Sequence, residues 1–111
     1  MPKVYVTSED PHLDYTPAFE FGDKIIGVFP PGQIHLNPQI ALYRARAALR
    51  DITTEDYLAL VGDPIKIGIC FGVVMERLGV VNALRWNRQT TSYLHIAINF
   101  LDRNPPLEKG D

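Results

Sequence analysis

Residues 57–79 (YLALVGDPIKIGICFGVVMERLG) constrain the fold more than any other part of the chain. The segment opens with a short uninterrupted apolar run at 58–61, which is typical of a central strand covered on both faces. A Gly-Asp-Pro turn follows, in which Asp63 is suited to cap a helix and Pro64 to occupy its first turn. The nearly all-apolar residues after it predict a buried helix that Gly79 ends. A buried strand joined by a tight turn to a buried helix indicates an α/β protein.

The same pattern, a capping Asp or Asn followed by Pro, occurs earlier in the chain. Asn37 followed by Pro38 predicts the start of a first helix over residues 38–51, in which apolar residues recur at three- and four-residue spacing. The second helix is predicted over 64–78. Strands are predicted where segments alternate or are rich in β-branched and aromatic residues, at 3–7, 24–29, 58–61, 80–87 and 93–100.

These elements define the expected architecture, in the order ββαβαββ. The two strand–helix–strand units imply parallel strands with right-handed crossovers, and the last two strands form an antiparallel hairpin. We therefore expect an α/β fold in which residues 1–101 form a single small domain, with a mixed sheet of about five strands and two helices. The polar, proline-containing residues 102–111 are expected to form a mobile tail.

Charge and cysteine content exclude several classes of protein. The 111-residue chain has a formal net charge of −2, whereas general nucleic-acid binders are usually clearly basic, so nucleic acid is not an expected partner. Cys70 is the only cysteine, which excludes a disulfide framework and agrees with a cytoplasmic location. The apolar centre of the second helix is too short to span a membrane, and the first residues lack the apolar segment of a signal peptide. We therefore expect neither membrane insertion nor secretion.

The sequence shows no motif that carries catalysis or binds a metal. His12, His35 and His95 are far apart and form no pair with ligand spacing, so no metal site is expected. There is no GxSxG nucleophile elbow and no glycine-rich phosphate-binding motif. Asp10, His12 and Asp14 alternate in one segment, for which a solvated loop is a more ordinary explanation than a metal or acid–base cluster. We expect no cofactor, and the sequence favours a protein that is not an enzyme without deciding the matter.

The C-terminal hairpin, LRWNRQTTSYLHIAINF, is the strongest candidate for a binding surface, although a purely structural hairpin is the simpler interpretation. Trp86 is in phase with Leu84, so a place in the core is the competing interpretation for its side chain. In the last strand, alternate apolar residues share one face, which is typical of a sheet with one face more exposed. The hairpin residues of types enriched in interface hot spots are Arg85, Trp86, Arg88, Tyr93 and His95.

Two further surfaces have both a functional and a structural interpretation. Arg46 and Arg50 lie one turn apart on the first helix and could together hold phosphate or an acidic partner, although a solvated helix face is the simpler interpretation. Gly62 and Asp63 occupy the kind of strand-to-helix turn where open α/β sheets bind ligands, which offers the alternative of a small-molecule or nucleotide site. Against a phosphate, Pro64 lacks an amide donor and the Asp63 carboxylate repels anions.

The second helix is apolar on nearly all sides, which bears on the oligomeric state. Such a helix needs cover on both sides, and a two-layer domain supplies only one. A second copy of the chain could supply the other, either through this helix, where Gly68 and Gly72 form a smooth stripe, or through an edge strand. We therefore expect a homo-oligomer, most simply a homodimer.

The segments LALVGDPIKIG and LRWNRQTTSYLHIAINF together resemble small proteins of unknown function from bacteriophage genomes and prophage regions. The similarity of pattern extends over residues 4–100. It implies a compact phage accessory protein in the cytoplasm of an infected bacterium, and it brings no catalytic residues with it. We therefore expect a non-enzymatic interaction protein that binds another macromolecule, such as a host protein. A small-molecule or nucleotide-binding domain and a homo-oligomeric structural or regulatory protein are the alternatives.

Overall fold

A computed structural model describes residues 1–31 and 37–106 of the chain. These residues form five strands and two α-helices in the predicted order, together with one 3-10 helix at Thr16–Glu20. His35 and the last five residues of the predicted tail lie outside the described residues. The strands and helices are β1 (Lys3–Ser8), β2 (Lys24–Phe29), α1 (Pro38–Ala48), β3 (Tyr57–Ala59), α2 (Pro64–Leu78), β4 (Val80–Asn87) and β5 (Ser92–Asn99).

The strands form one mixed sheet in the order β2-β1-β3-β4-β5. β1 lies between β2 and β3 and is parallel to both, and β3 is parallel to β4. β4 and β5 form an antiparallel hairpin at one edge. This topology confirms the α/β class and the five-stranded mixed sheet expected from the sequence. The strands that α1 connects, β2 and β3, do not pair with each other, because β1 occupies the place between them.

Capping side chains fix where the helices begin and end. The Asp63 carboxylate accepts the N–H of Ile65 at 2.6 Å at the start of α2, and Gly79 ends that helix in the left-handed region with φ 72°. Asn37 caps α1 in the same way. α1 ends at Ala48, three residues before the predicted end at 51, because Leu49 leaves the helical conformation and is fully buried. No helix among the described residues is long and apolar enough to cross a membrane.

Both faces of the central strands are buried, as the apolar run at the start of residues 57–79 predicts. On one face the helices cover a core that includes Leu49, Leu58 and Cys70. On the other face the 3-10 helix covers a smaller core that includes Ala59 and Leu84. Burial raises the pKa of the Cys70 thiol to about 12, so this side chain is a protonated packing group at neutral pH.

β3 ends two residues earlier than predicted because a threonine side chain replaces its strand partner. The Thr7 hydroxyl donates to the carbonyl of Val61 at 2.5 Å and accepts the Val61 N–H at 2.7 Å. Both backbone groups of Val61 are therefore satisfied without a continuous ladder to β1. A side chain that bonds to backbone in this way leaves no periodic signal in the sequence.

Candidate functional site

The end of the β4–β5 hairpin carries a group of three exposed side chains, Arg85, Trp86 and Arg88, which we call the tip surface. They line a depression of about 380 Å³. Local side-chain bonds shape the turn beneath them, since Asn87 Oδ1 accepts the N–H of Gln89 at 3.0 Å. The other residues lining the depression are Asn87, Gln89 and Leu94.

Among the residues that the structure describes, the two arginines of the tip surface have no charged partner. Neither Arg85 nor Arg88 forms an ion pair with any of residues 1–31 or 37–106. Both arginines are exposed, and the chain as a whole has a formal net charge of −2. A guanidinium presents a planar fork of donors that suits a carboxylate or a phosphate. The tip is therefore a local cationic site on a protein that is acidic as a whole.

Trp86 is held in place by the aromatic ring of Tyr93. The two rings meet edge to face with their centroids 5.0 Å apart, and they belong to a directly paired position of the hairpin. Tyr93 is only 7% exposed, and its burial raises the pKa of its phenol, whereas Trp86 is 39% exposed. Tyr93 therefore supports the tip surface from beneath, and Trp86 is the ring that a partner can reach.

Strand alternation divides the predicted hairpin residues between the two faces of the sheet. Trp86 pairs with Tyr93 and lies on the same face as Leu84, as their phase in the sequence requires. Leu84 is fully buried, but Trp86 lies one step nearer the tip and is half-exposed. Arg85 pairs with Leu94 and projects from the opposite face. The tip surface therefore wraps around the end of the hairpin.

His95 lies on the same face as Trp86 but is held by a network of its own. Its Nε2 lies 3.0 Å from Asn82 Oδ1, and the Asn82 amide nitrogen donates to the Thr54 carbonyl at 2.8 Å. Because the Asn82 nitrogen is committed to Thr54, Nε2 is the donor in the bond to Asn82. The imidazole also packs edge to face on Tyr57, with 5.1 Å between ring centroids. His95 thus ties β5 to the segment before β3.

Arg46 and Arg50 lie on or just after α1, on a different part of the molecule. Arg46 forms a two-point ion pair with Glu76, with N···O distances of 2.8 and 3.1 Å, and this pair joins α1 to α2. Its hydrogen bonds lower the pKa of the Glu76 carboxyl. Arg50 lies 3.9 Å from the carboxylate of Asp51. The structure therefore does not bring these two arginines together with the tip surface.

Gly62 and Asp63 line a second depression of about 380 Å³, which we call the edge cavity. It lies at the carboxyl ends of β1 and β3, where open α/β sheets commonly bind ligands. Three carboxylate side chains contribute to its lining, so it is a poor site for a phosphate. The remaining lining residues are Ser8, Glu9, Asp10, Pro11, His12, Pro31 and Lys66.

Lys66 is the residue of the edge cavity that sequence reasoning missed. It is only 3% exposed, and its Nζ lies 3.3 Å from Ser8 Oγ and 3.2 Å from the carbonyl oxygen of Pro30. The ammonium also lies 6.0 Å from the centroid of the Phe29 ring. The sequence signal that could have found it is a lysine in the first turn of a nearly all-apolar helix, where a lysine is usually expected to be solvated.

The acidic segment before the 3-10 helix is explained by local capping. Asp10 Oδ1 accepts the N–H of His12 at 2.9 Å. Asp14 Oδ1 accepts both the N–H and the hydroxyl of Thr16, and these bonds lower the pKa of the Asp14 carboxyl. Within the ranges that the structure describes, no three side chains of metal-ligating type are grouped to hold an ion.

The fold and its surfaces define a small α/β protein with a mixed sheet and an exposed hairpin at one sheet edge. Residues 2–100 match the sequence model of the family described as Phage Pam3 gp32-like protein, and the chain belongs to that family. The expected resemblance to phage proteins is thereby confirmed. Neither a curated protein nor a solved structure matches the chain.

Proposed function

We propose that this phage protein acts by binding another macromolecule, an acidic surface of a host protein, in the bacterial cytoplasm. The tip surface is the contact site, and no chemical reaction is involved. The observation that carries the proposal is the juxtaposition, around one depression, of a half-exposed tryptophan and two arginines that form no ion pair with the described part of the chain. Tryptophan and arginine are the residue types that contribute most often to interface hot spots.

The tip surface also has the physical properties that an interface needs. Trp86 offers a large apolar area that is already ordered against Tyr93, so little side-chain entropy is lost when a partner covers it. Arg85 and Arg88 attract an acidic partner during encounter, and screening by salt weakens that attraction. Since the rest of the chain carries a net negative charge, the tip is where an acidic surface is repelled least.

Truncation of the tip surface is the direct test. Trp86→Ala is expected to weaken binding about 30-fold, which corresponds to about 2 kcal/mol, because it removes the ordered aromatic ring. Arg88→Ala is expected to weaken binding and to reduce its salt dependence. The measurement is a quantitative pull-down from bacterial lysate, followed by titration of the protein that wild type captures and the variants lose.

Arg50→Ala is the matched control because it removes the same charge from an exposed site outside the hairpin. It is expected to bind as wild type does. If Trp86→Ala and Arg88→Ala remain folded and bind unchanged, the tip surface is not the contact site. If Arg50→Ala alone loses binding, the contact site is at the end of α1 and the proposal fails.

The edge cavity favours a second candidate function, the binding of a small polar molecule. The observation in its favour is a depression of about 380 Å³ at the carboxyl edge of the parallel strands, with the buried Lys66 and Ser8 in its wall. Its carboxylates favour a cationic or neutral ligand over a nucleotide. A ligand present at 100 times its Kd is expected to add about 2.7 kcal/mol of stability and raise Tm by several degrees. A thermal-shift panel of polyamines, amino acids, sugars and nucleotides that stays flat would contradict this candidate.

A further inference from the structure

β5 is an edge strand without the features that normally protect an edge. Natural sheets keep their edges apart with lysines, prolines, bulges or covering loops. From Gln89 to Leu101 the sequence QTTSYLHIAINFL contains no Asp, Glu, Lys, Arg or Pro. No described strand lies beyond β5, which is the last strand of the sheet. In the part of the chain that the structure describes, β5 therefore presents a long, uncharged edge to its surroundings.

The outer backbone groups of β5 are arranged to receive another strand. The N–H of Phe100 donates to the carbonyl of Gly79 at 2.8 Å, which fixes the phase of the β4–β5 ladder. In an antiparallel ladder, residues whose backbone N–H and C=O groups bond to the neighbouring strand alternate with residues whose backbone groups point away from that strand. The N–H and C=O groups of Tyr93, His95, Ala97 and Asn99 therefore point toward the free edge.

One face of β5 is apolar and incompletely covered. We call its four side chains, Leu94, Ile96, Ile98 and Phe100, the β5 row; each is between 38% and 44% exposed. The row lies on the helix-covered face, because Ile96 pairs with the buried Ala83 and Phe100 packs on Phe71 of α2.

The exposed apolar area around the β5 row is large for a monomer. Helix α2 covers only the inner side of the row, and Met75 of α2 is itself 39% exposed. Together with Leu101, these side chains expose on the order of 500 Å² of apolar surface, at the upper end for soluble monomers. That area is a large part of the roughly 800 Å² per partner that a stable interface buries.

We propose that β5 pairs with β5 of a second copy of this chain, in antiparallel orientation about a two-fold axis. The register that uses every outward group pairs Tyr93 with Asn99 of the second copy and His95 with Ala97 of the second copy. Ile96 then faces Ile96 of the second copy on the two-fold axis, and the two β5 rows meet between the two α2 helices. This inference goes beyond the proposed function, because it uses the outer edge of β5 and not the three side chains of the tip surface. Leu94 is the one residue of the row that also lines the depression at the tip.

A second copy fits this edge better than an unrelated partner for reasons of symmetry and charge. In a two-fold antiparallel pair, a charged residue near the axis meets a like charge, which is destabilising. β5 has no such charge, and the centre of the row is complementary to itself: Leu94 meets Ile98 of the second copy and Ile96 meets Ile96, whereas Phe100 meets Ser92. The antiparallel arrangement also places the two tip surfaces at opposite ends of the paired strands, with the two Trp86 positions about 20 Å apart along the strands at 3.4 Å per residue. Two such sites bind a repeated partner with avidity.

The solution mass of the full chain tests the proposal. In light scattering over a concentration series, wild type is expected to have twice the 12.5 kDa mass of one chain. Ile96→Lys is expected to weaken dimerisation at least 100-fold, because it places two ammonium groups together on the axis. Ile40→Lys is the matched control, since Ile40 is 62% exposed and lies on α1, outside the hairpin. The solution mass of this variant is expected to stay that of the dimer.

A second variant and a second measurement keep the test decisive if Ile96→Lys fails to fold. Ala97→Pro removes one outward N–H and no bond to β4, and it is also expected to give the single-chain mass. In wild type, hydrogen exchange at His95 and Ala97 is expected to slow as the concentration rises. A single-chain mass at every concentration would overturn the proposal, whether another protein or nothing covers the row. A dimer that survives both folded variants, or whose His95 and Ala97 amides exchange at a constant rate, would also overturn it.

The outcome is separable from that of the tip surface. Arg88→Ala is expected to keep the dimer mass, since Arg88 lies in the turn outside β5. Ile96→Lys is expected to keep single-site binding at the tip and to lose only avidity. Loss of partner binding in the first variant and loss of the dimer in the second are therefore independent results.

Discussion

Replacing Asp56 by alanine is expected to lower the free energy of unfolding by about 2–4 kcal/mol, because it removes a buried carboxylate that accepts hydrogen bonds from two partly buried backbone N–H groups. The Asp56 carboxylate is on a residue that is only 4% exposed. Its Oδ1 accepts the N–H of Lys3 at 2.8 Å, and its Oδ2 accepts the N–H of Thr53 at 2.9 Å. One side chain therefore joins the start of β1 to the turn that leads into β3. Urea unfolding followed by far-UV circular dichroism measures the loss.

Glu55→Ala is the control for the loss of a carboxylate. Glu55 is adjacent and exposed, and its own structural bond comes from its backbone N–H, which the substitution keeps. Its free energy of unfolding is expected to stay within about 0.5 kcal/mol of wild type, as is usual for surface substitutions. Equal stability of Asp56→Ala and Glu55→Ala would show that the Asp56 bonds do not hold β1 and β3 together.

The elements that the sequence predicted best are those whose ends are set by local chemistry. The Asp63 cap and the left-handed Gly79 enclose α2, and its predicted bounds are confirmed. The predicted bounds of β2 and β4 are confirmed as well. β3 was predicted too long because its end depends on Thr7, a residue 54 positions away from Val61. Local pattern carries no information about such a bond.

The order of the strands in the sheet could not be predicted from the sequence for a related reason. The two strand–helix–strand units indicate parallel strands, but they do not say that β1 lies between β2 and β3. That position is decided by apolar side chains on both faces of β1, which the helices bury on one side and the 3-10 helix on the other. Only the three-dimensional packing contains this information.

The candidate site was predicted in part. Alternation correctly placed Trp86 in phase with Leu84, and residue type singled out the arginines of the tip surface. The sequence did not show that Tyr93 lies beneath Trp86 or that Arg46 is bound to Glu76, 30 residues away. The partner of a charged side chain depends on tertiary packing, so a basic pair on one helix does not by itself indicate a binding surface.

The same substitution at two glycines of the Gly62–Gly68 region is expected to have opposite effects. Gly62 has φ +92°, a conformation that side chains rarely adopt, and an added Cβ would lie 2.8 Å from the Cβ of Ser8. Gly62→Ala is therefore expected to lower the free energy of unfolding by about 2–4 kcal/mol, from backbone strain together with the steric contact. Gly68 lies inside α2 with nothing within 4 Å of an added Cβ. Gly68→Ala is expected to raise stability by about 0.5–1 kcal/mol through helix propensity.

Urea unfolding of the two variants at the same protein concentration measures both effects, since the proposed dimerisation would make stability depend on concentration. The contrast is informative because the chemical change is identical and only the backbone and the neighbours differ. Gly62 lies beside Ser8 in the wall of the edge cavity, so a strained substitution there also displaces the hydroxyl that bonds to Lys66. A Gly62→Ala variant as stable as wild type would mean that the turn relaxes freely, and the edge cavity would then lack the rigid wall that a ligand site requires.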